Sequence, residues 1–349
     1  MAIDKEFLCS ILDRVIIMSD EPQDKKDKNY AILDLLTNEN HPRLYRLRNL
    51  NSCHHIRHLQ ENILSMAKPD SSDDENESVV DVTHEGMKSV YRKGFSESMV
   101  DEVIDVFRTG NIPKWFKEIV IALGMEEELS KIPGMRINKD EIMNMVNTYL
   151  PQATNQAQSM DTGVEARSYM RNLRRMAYFT DVFPPSEILW ERLGDKGAGF
   201  VLEYDFNNTP IIDKNGKEIK PNFKTNPLVP VKYDGLFDAN KLMAYMLSMY
   251  DIKKYAGKMD FEIPHDELLF IKIYTHKVRG KAYESEWRFL SEILDADSEQ
   301  YGEDMRMKPV SLYCGPKMPK ENKRVIFDIC SKNGIKFYEL DDNYNVIDR

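Results

Sequence analysis

Cysteine is scarce in this chain. Cys9, Cys53, Cys314 and Cys330 are the only four in 349 residues, and no two of them stand at C-x-x-C spacing. That excludes a disulfide framework and a zinc knuckle, and the four are expected to be reduced thiols. No run approaches about 18 uninterrupted apolar residues, so no membrane-spanning helix is expected. The opening MAIDKEFLCSILDRVIIMSDEP has an apolar stretch broken by Asp13 and Arg14, with no small-residue cleavage site after it. A cytoplasmic location is the expectation. Positive charge is also in deficit: 48 Lys and Arg stand against 58 Asp and Glu, a formal net charge of -10. This argues against non-specific coating of DNA, which relies on neutralising phosphates, while leaving room for a local basic patch.

Phosphate-cradling loops are missing as well. There is no Walker A loop, no G-x-G-x-x-G after a strand and no G-x-S-x-G elbow. The stretch from Glu191 to Gly199 contains glycines but precedes a strand instead of opening a helix. Kinase, dinucleotide-fold dehydrogenase and serine hydrolase chemistries are therefore excluded.

What remains is a chain that is 42% hydrophobic and 30% charged, able to bury a large core as a soluble globular protein. Residues 1–42 read as a helical N-terminal extension, with Phe7, Ile11, Leu12, Val15 and Ile16 at helical spacing, a charged linker, and a second apolar run from Ile32 to Leu36. Leu44 to Arg48 alternates as a short strand, and DSSDDENES at 70–78 reads as a mobile acidic loop. A helical insertion is expected at about 87–157, where Ser98 with Asp101 and Asn138 with Glu141 resemble capping pairs. Strands are then expected at 176–180, 199–205, 228–233, 268–275, 284–293, 310–313 and 335–340, with helices at about 186–193, 238–256 and 319–333. The fold class implied is α+β, a single domain over 43–349 with a mixed, mostly antiparallel two-sheet core.

The most informative segment is Tyr283-Glu284-Ser285-Glu286-Trp287-Arg288. In a strand, Glu284, Glu286 and Arg288 share one face. Such a carboxylate pair suits stabilisation of an oxocarbenium-like centre, or else forms an ion-paired ladder in which Arg288 or Lys281 neutralises both acids. Arg46 and Arg48 share a face of their own strand, and rigidly held arginines suit bidentate capture of phosphate or carboxylate. His54 and His58, at i and i+4, offer an edge for a metal only if the acidic loop supplies further ligands. Arg167, Arg171, Arg174 and Arg175 form a basic stripe suited to an RNA backbone or an acidic partner.

Several short segments, in order, are similar to a bacterial family classed as a domain of unknown function and found in phage-defence neighbourhoods. They are Leu44 to Arg48, Ile63 to Pro69, Ala177 to Thr180, Trp190, Gly199 to Tyr204, Val231 to Tyr233, Lys281 to Arg288 and Cys314 to Pro316. The chain departs from that pattern in having Ser72-Asp73-Asp74-Glu75 in place of Asn-Asp-Pro-Phe, and Leu193 in place of a tyrosine. The order Arg, Ser or Thr on a strand, then Glu-x-Glu also resembles the Arg-Ser-Glu layout of ADP-ribosyltransferases. The resemblance implies NAD as substrate and no metal. Glu286 would stabilise the ribosyl cation, Glu284 would activate the acceptor, Arg46 with Arg48 would hold the diphosphate, and Thr180 would orient the nicotinamide ribose. Tyr178, Phe179 and Trp190 would pack beside it, in a cleft between the two sheets. It further implies an RNA or protein acceptor and a neutralising, antitoxin-like protein partner. Two other classes stay open on the residues alone: a non-catalytic binding module in which Glu284, Glu286 and Arg288 are structural, and a metal-dependent nuclease built on His54, His58 and the acidic loop.

Overall fold

The computed structural model describes residues 4–37, 41–69, 80–83, 174–243, 265–292, 301–302 and 305–347, together with Tyr245 and a scatter of residues between 86 and 140. Most of the expected insertion at 87–157, the acidic run 70–78, most of the expected helix at 238–256, and Arg167 and Arg171 lie outside the described residues. The described residues Ile104 and Asp105 within the insertion are helical, as expected.

Helix α1 (Lys5–Arg14) starts where the Asp4 side chain accepts from the backbone N–H of Glu6, and it buries Leu8, Cys9 and Leu12. Helix α2 (Gln23–Thr37) begins inside the stretch expected to be a charged linker, because Leu33 and Tyr30 dock its C-terminal half in the core. The polar first turns are simply its solvent side. Both helices bury residues in the same apolar clusters as the sheet, Leu8 of α1 sharing one with Phe289, and Leu12 of α1 and Leu33 of α2 sharing another with Met176.

A mixed sheet forms the core of the described residues. Its strands are β1 (Leu44–Arg48), β2 (Met66–Ala67), β4 (Arg174–Thr180), β5 (Phe200–Tyr204), β8 (Leu228–Pro230), β10 (Glu286–Glu292), β11 (Tyr301–Gly302), β12 (Ser311–Cys314), β13 (Lys336–Leu340) and β14 (Val346–Ile347). The path β8-β10-β4-β1-β5-β12-β13-β14 is antiparallel except at β12 and β13. Those two run parallel because a helix, α6 (Lys320–Asn333), carries the chain back between them, ended by Gly334 at φ 64. Two short ribbons stand apart: β3 (Val80–Asp81) with β9 (Phe237–Asp238), and β6 (Ile211–Ile212) with β7 (Glu218–Ile219).

The mostly antiparallel core is as expected, but among the described residues it is one continuous ten-stranded sheet and not two separate ones. The reason lies in β4. Seven residues long, it pairs with β10 along one edge, while its other edge is shared between β1 at Thr180 and β2 at Met176. The sheet forks there. A second correction concerns Leu268 to Thr275, expected as a strand. It forms a short helix, α5 (Leu269–Lys272), with the Asp266 carboxylate accepting from the Leu268 N–H and pairing with Lys272 at 2.9 Å. An unbroken apolar run reads the same in a buried helical turn as in a buried strand.

Candidate active site

Backbone register decides which side chains meet. Glu286 on β10 lies directly opposite Thr180 on β4, and Thr180 lies opposite Tyr45 on β1. Residues paired this way project to the same face, so Glu286, Thr180 and Tyr45 form one row, and Arg288 with Tyr178 form the next. The Arg288 guanidinium carbon lies 5.8 Å from the centre of the Tyr178 ring.

Both oxygens of Glu286 are bound. Oε1 accepts from Arg288 Nε at 2.6 Å and Oε2 from Lys277 Nζ at 3.0 Å. Lys277 Nζ also donates to Glu284 Oε2 at 2.7 Å, so one ammonium bridges the two acids. Arg288 donates a further bond to the Tyr274 carbonyl at 2.7 Å, and the Glu286 backbone N–H donates to the Tyr233 hydroxyl at 2.8 Å. The network is dry: Glu286 is 4% exposed and Arg288 0%.

Burial by itself would raise the Glu286 carboxyl, but the charges of Arg288 and Lys277 and their hydrogen bonds hold it down at about 2. Glu284 goes the other way. Burial raises its carboxyl, and repulsion from Glu286 adds to this despite the opposing pull of Lys277. Two neighbouring acids are thus pushed apart, one fixed as an anion and the other nearer to exchanging a proton.

Glu284 reaches this position by a different route from the expected one. It ends a 3-10 turn, Arg279–Glu284, and Ser285 at φ 42 reverses the chain before β10 begins. The second cation is Lys277, in an irregular segment, and sequence spacing carried no signal for it.

Other expected site residues are placed elsewhere. Arg46 alternates with Tyr45 and so projects to the opposite face, its guanidinium 5.7 Å from the Phe179 ring centre. Arg46 donates to the Ser65 carbonyl at 2.9 Å and Arg48 to the Ser65 hydroxyl at 3.1 Å, closing the fork between β1 and β2. Burial lowers Arg46 to about 10, and Arg48 is lowered by burial and by Arg46 beside it. Phe179 belongs to the core of that same far face. Trp190, on α4 (Glu187–Leu193), is fully buried and stacks on Tyr344 at 5.1 Å, a packing role within its own cluster. Arg174 and Arg175 are strand residues of β4, 9% and 8% exposed, with Arg174 donating to the Thr225 carbonyl. Buried in this way, they do not present a basic stripe.

Arg192, at the end of α4, and Tyr283 lie on the Tyr45 side of the sheet, where Leu189 and Trp190 of α4 cluster with Leu47 of β1 and Tyr45 and Tyr283 pack against them. The Arg192 guanidinium hydrogen-bonds the Tyr283 hydroxyl and lies 3.8 Å from Glu284 Oε1, with 45% of the side chain exposed. Asp181, just past Thr180, accepts from the Ser285 hydroxyl at 2.5 Å and from the Trp287 indole at 2.9 Å, and Lys5 of α1 lies 3.5 Å from it.

A metal-like constellation occurs where the sequence offered no hint of one. Asp13, Asp234 and His276 bring ligand atoms within 4.8 Å of one another. Lys232 Nζ lies 2.6 Å from Asp13 and 2.5 Å from Asp234, so an ammonium already supplies the positive charge between them. His54 and His58 share a face of α3 (Cys53–Glu61), their ring centres 6.2 Å apart. No protein-family model, curated protein or solved structure matches this chain.

Proposed function

We propose that this protein transfers ADP-ribose from NAD to a macromolecule, as a component of bacterial defence or of a toxin–antitoxin pair. The observation that carries the reading is the facing pair Thr180 and Glu286 on adjacent strands, with Glu286 held ionised and Glu284 beside it shifted the opposite way. Breaking the bond between ribose C1′ and the nicotinamide nitrogen leaves the electron pair on nicotinamide and a cation-like ribose. An anion fixed in a dry site is worth most against that charge. Glu286 uses one acceptor position on each oxygen, and a carboxylate has about four, so room remains for a ribose hydroxyl. Glu284 then takes the proton as the acceptor forms its bond to C1′. The defence setting and the neutralising partner are part of the proposal and rest on the short ordered segments from Leu44 to Arg48 through Cys314 to Pro316. Of the four arginines expected to meet RNA, the two that are described, Arg174 and Arg175, are buried, and protein is the acceptor proposed.

A second reading is favoured by the burial of Glu286 and the ion pairing of both its oxygens: a non-catalytic binding module in which the ladder holds β10 in place. The experiment that separates the two is release of nicotinamide from NAD by purified protein, wild type beside Glu284→Gln. Release by the wild type alone supports transfer. No release by either supports the module.

A further inference from the structure

The ADP-ribosyl-transfer reading leaves one part without an owner. The diphosphate of NAD needs a cation that lies on the face of Thr180 and Glu286 and is open to solvent. Arg46 meets neither condition, being 8% exposed on the opposite face. Lys277 and Arg288 lie on the correct face, but their side chains are 4% and 0% exposed and committed to the two acids. We infer, resting on that reading, that Arg192 grips the diphosphate.

Three features of Arg192 carry the inference. It is a guanidinium, whose planar fork of donors matches two phosphate oxygens at once. It is anchored without being consumed: the Tyr283 hydroxyl accepts one of its N–H groups, and nearly half of the side chain remains in solvent. It also stands at the working end of the site, 3.8 Å from Glu284. The 3-10 turn that delivers Glu284 also delivers Tyr283, so one backbone element fixes both the acid and the orienter of the arginine. Glu187–Leu193 supplies rigid support, with Trp190 locked in the core beneath and Gly194 closing the helix.

Arg192 is a binding residue whose loss shows in substrate affinity first.

The test uses the full-length protein, with saturation of nicotinamide release by NAD and titration with ADP-ribose and adenosine as competing ligands. Arg192→Gln is expected to raise KM for NAD roughly ten- to a hundredfold, the range for one charge-assisted interaction. The fall in kcat should be smaller, and Arg192→Lys should recover part of the loss. ADP-ribose, which carries the diphosphate, should weaken as an inhibitor in parallel, while adenosine should not. An unchanged KM in Arg192→Gln, with wild-type turnover intact, overturns this inference alone. So does equal weakening of adenosine, or a rise in KM in folded Arg46→Gln that exceeds that of Arg192→Gln. A wild-type protein that neither cleaves NAD nor binds ADP-ribose overturns the transfer reading and this inference together.

Discussion

Replacing Glu286 by glutamine removes the charge on which two buried cations depend. The glutamine amide oxygen can still accept one of the two bonds that Glu286 accepts, from Arg288 Nε at 2.6 Å or from Lys277 Nζ at 3.0 Å, while Arg288 keeps the Tyr274 carbonyl and Lys277 keeps Glu284 at 2.7 Å. Breaking a buried pair from one side costs about 3–5 kcal/mol, chiefly because a charge is left unpaired. The surviving contacts place this case near the lower end, at about 3 kcal/mol. Against a total of about 5–15 kcal/mol for a folded domain, the variant remains mostly folded but is measurably weaker. Urea unfolding followed by tryptophan fluorescence is a suitable assay, because Trp287 and Trp190 are both fully buried. Glu286→Leu with Arg288→Met together should lose less than Glu286→Gln alone, since no orphaned charge remains on β10. A loss below about 1 kcal/mol for Glu286→Gln, or additive effects in the cycle, would refute the claim that these ion pairs are energetically coupled.

The pH dependence of stability follows from the same carboxyl. Its folded value lies near 2, below its unfolded value, so its contribution is fully present above about pH 4.5 and is lost as pH falls through 2. The stability gap between wild type and Glu286→Gln should shrink over that window in urea titrations. If transfer occurs, the acidic limb of kcat/KM should lie above the ordinary glutamate range, because Glu284 is raised, and should flatten in Glu284→Gln. Trp190→Ala should cost about 3–5 kcal/mol by opening a cavity against Tyr344, read as a lowered unfolding midpoint. Gly199→Ala should destabilise too, because an added Cβ would sit 2.2 Å from the Arg48 carbonyl oxygen.

Local rules carried much of the sheet. Leu44 to Arg48, Phe200 to Tyr204 and the β12, α6, β13 unit were legible because alternation, β-branched or aromatic content and a helix-ending glycine all agree at those places. The shared face of Glu286 and Arg288 was legible for the same reason. The face of Arg46 was not. The register sets Tyr45, not Arg46, opposite Thr180, and a difference of one residue moves a side chain to the other face. Sequence order cannot supply that parity, since it is fixed by pairings more than 130 residues apart. Lys277 was hidden for another reason: it comes from an irregular segment whose position depends on Lys232 pairing with His276. Trp190 was legible as a large aromatic on a helix, and its burial shows the commoner fate of such residues, in the core.

ADP-ribosyl transfer itself is measured by incubating purified, partner-free protein with labelled NAD and a bacterial lysate, beside Glu284→Gln and Thr180→Val checked for folding. Label in the protein fraction and nicotinamide release are expected for the wild type, with both sharply reduced in the two variants. Folded wild-type protein that leaves label in no macromolecule and releases no nicotinamide would contradict the proposed transfer.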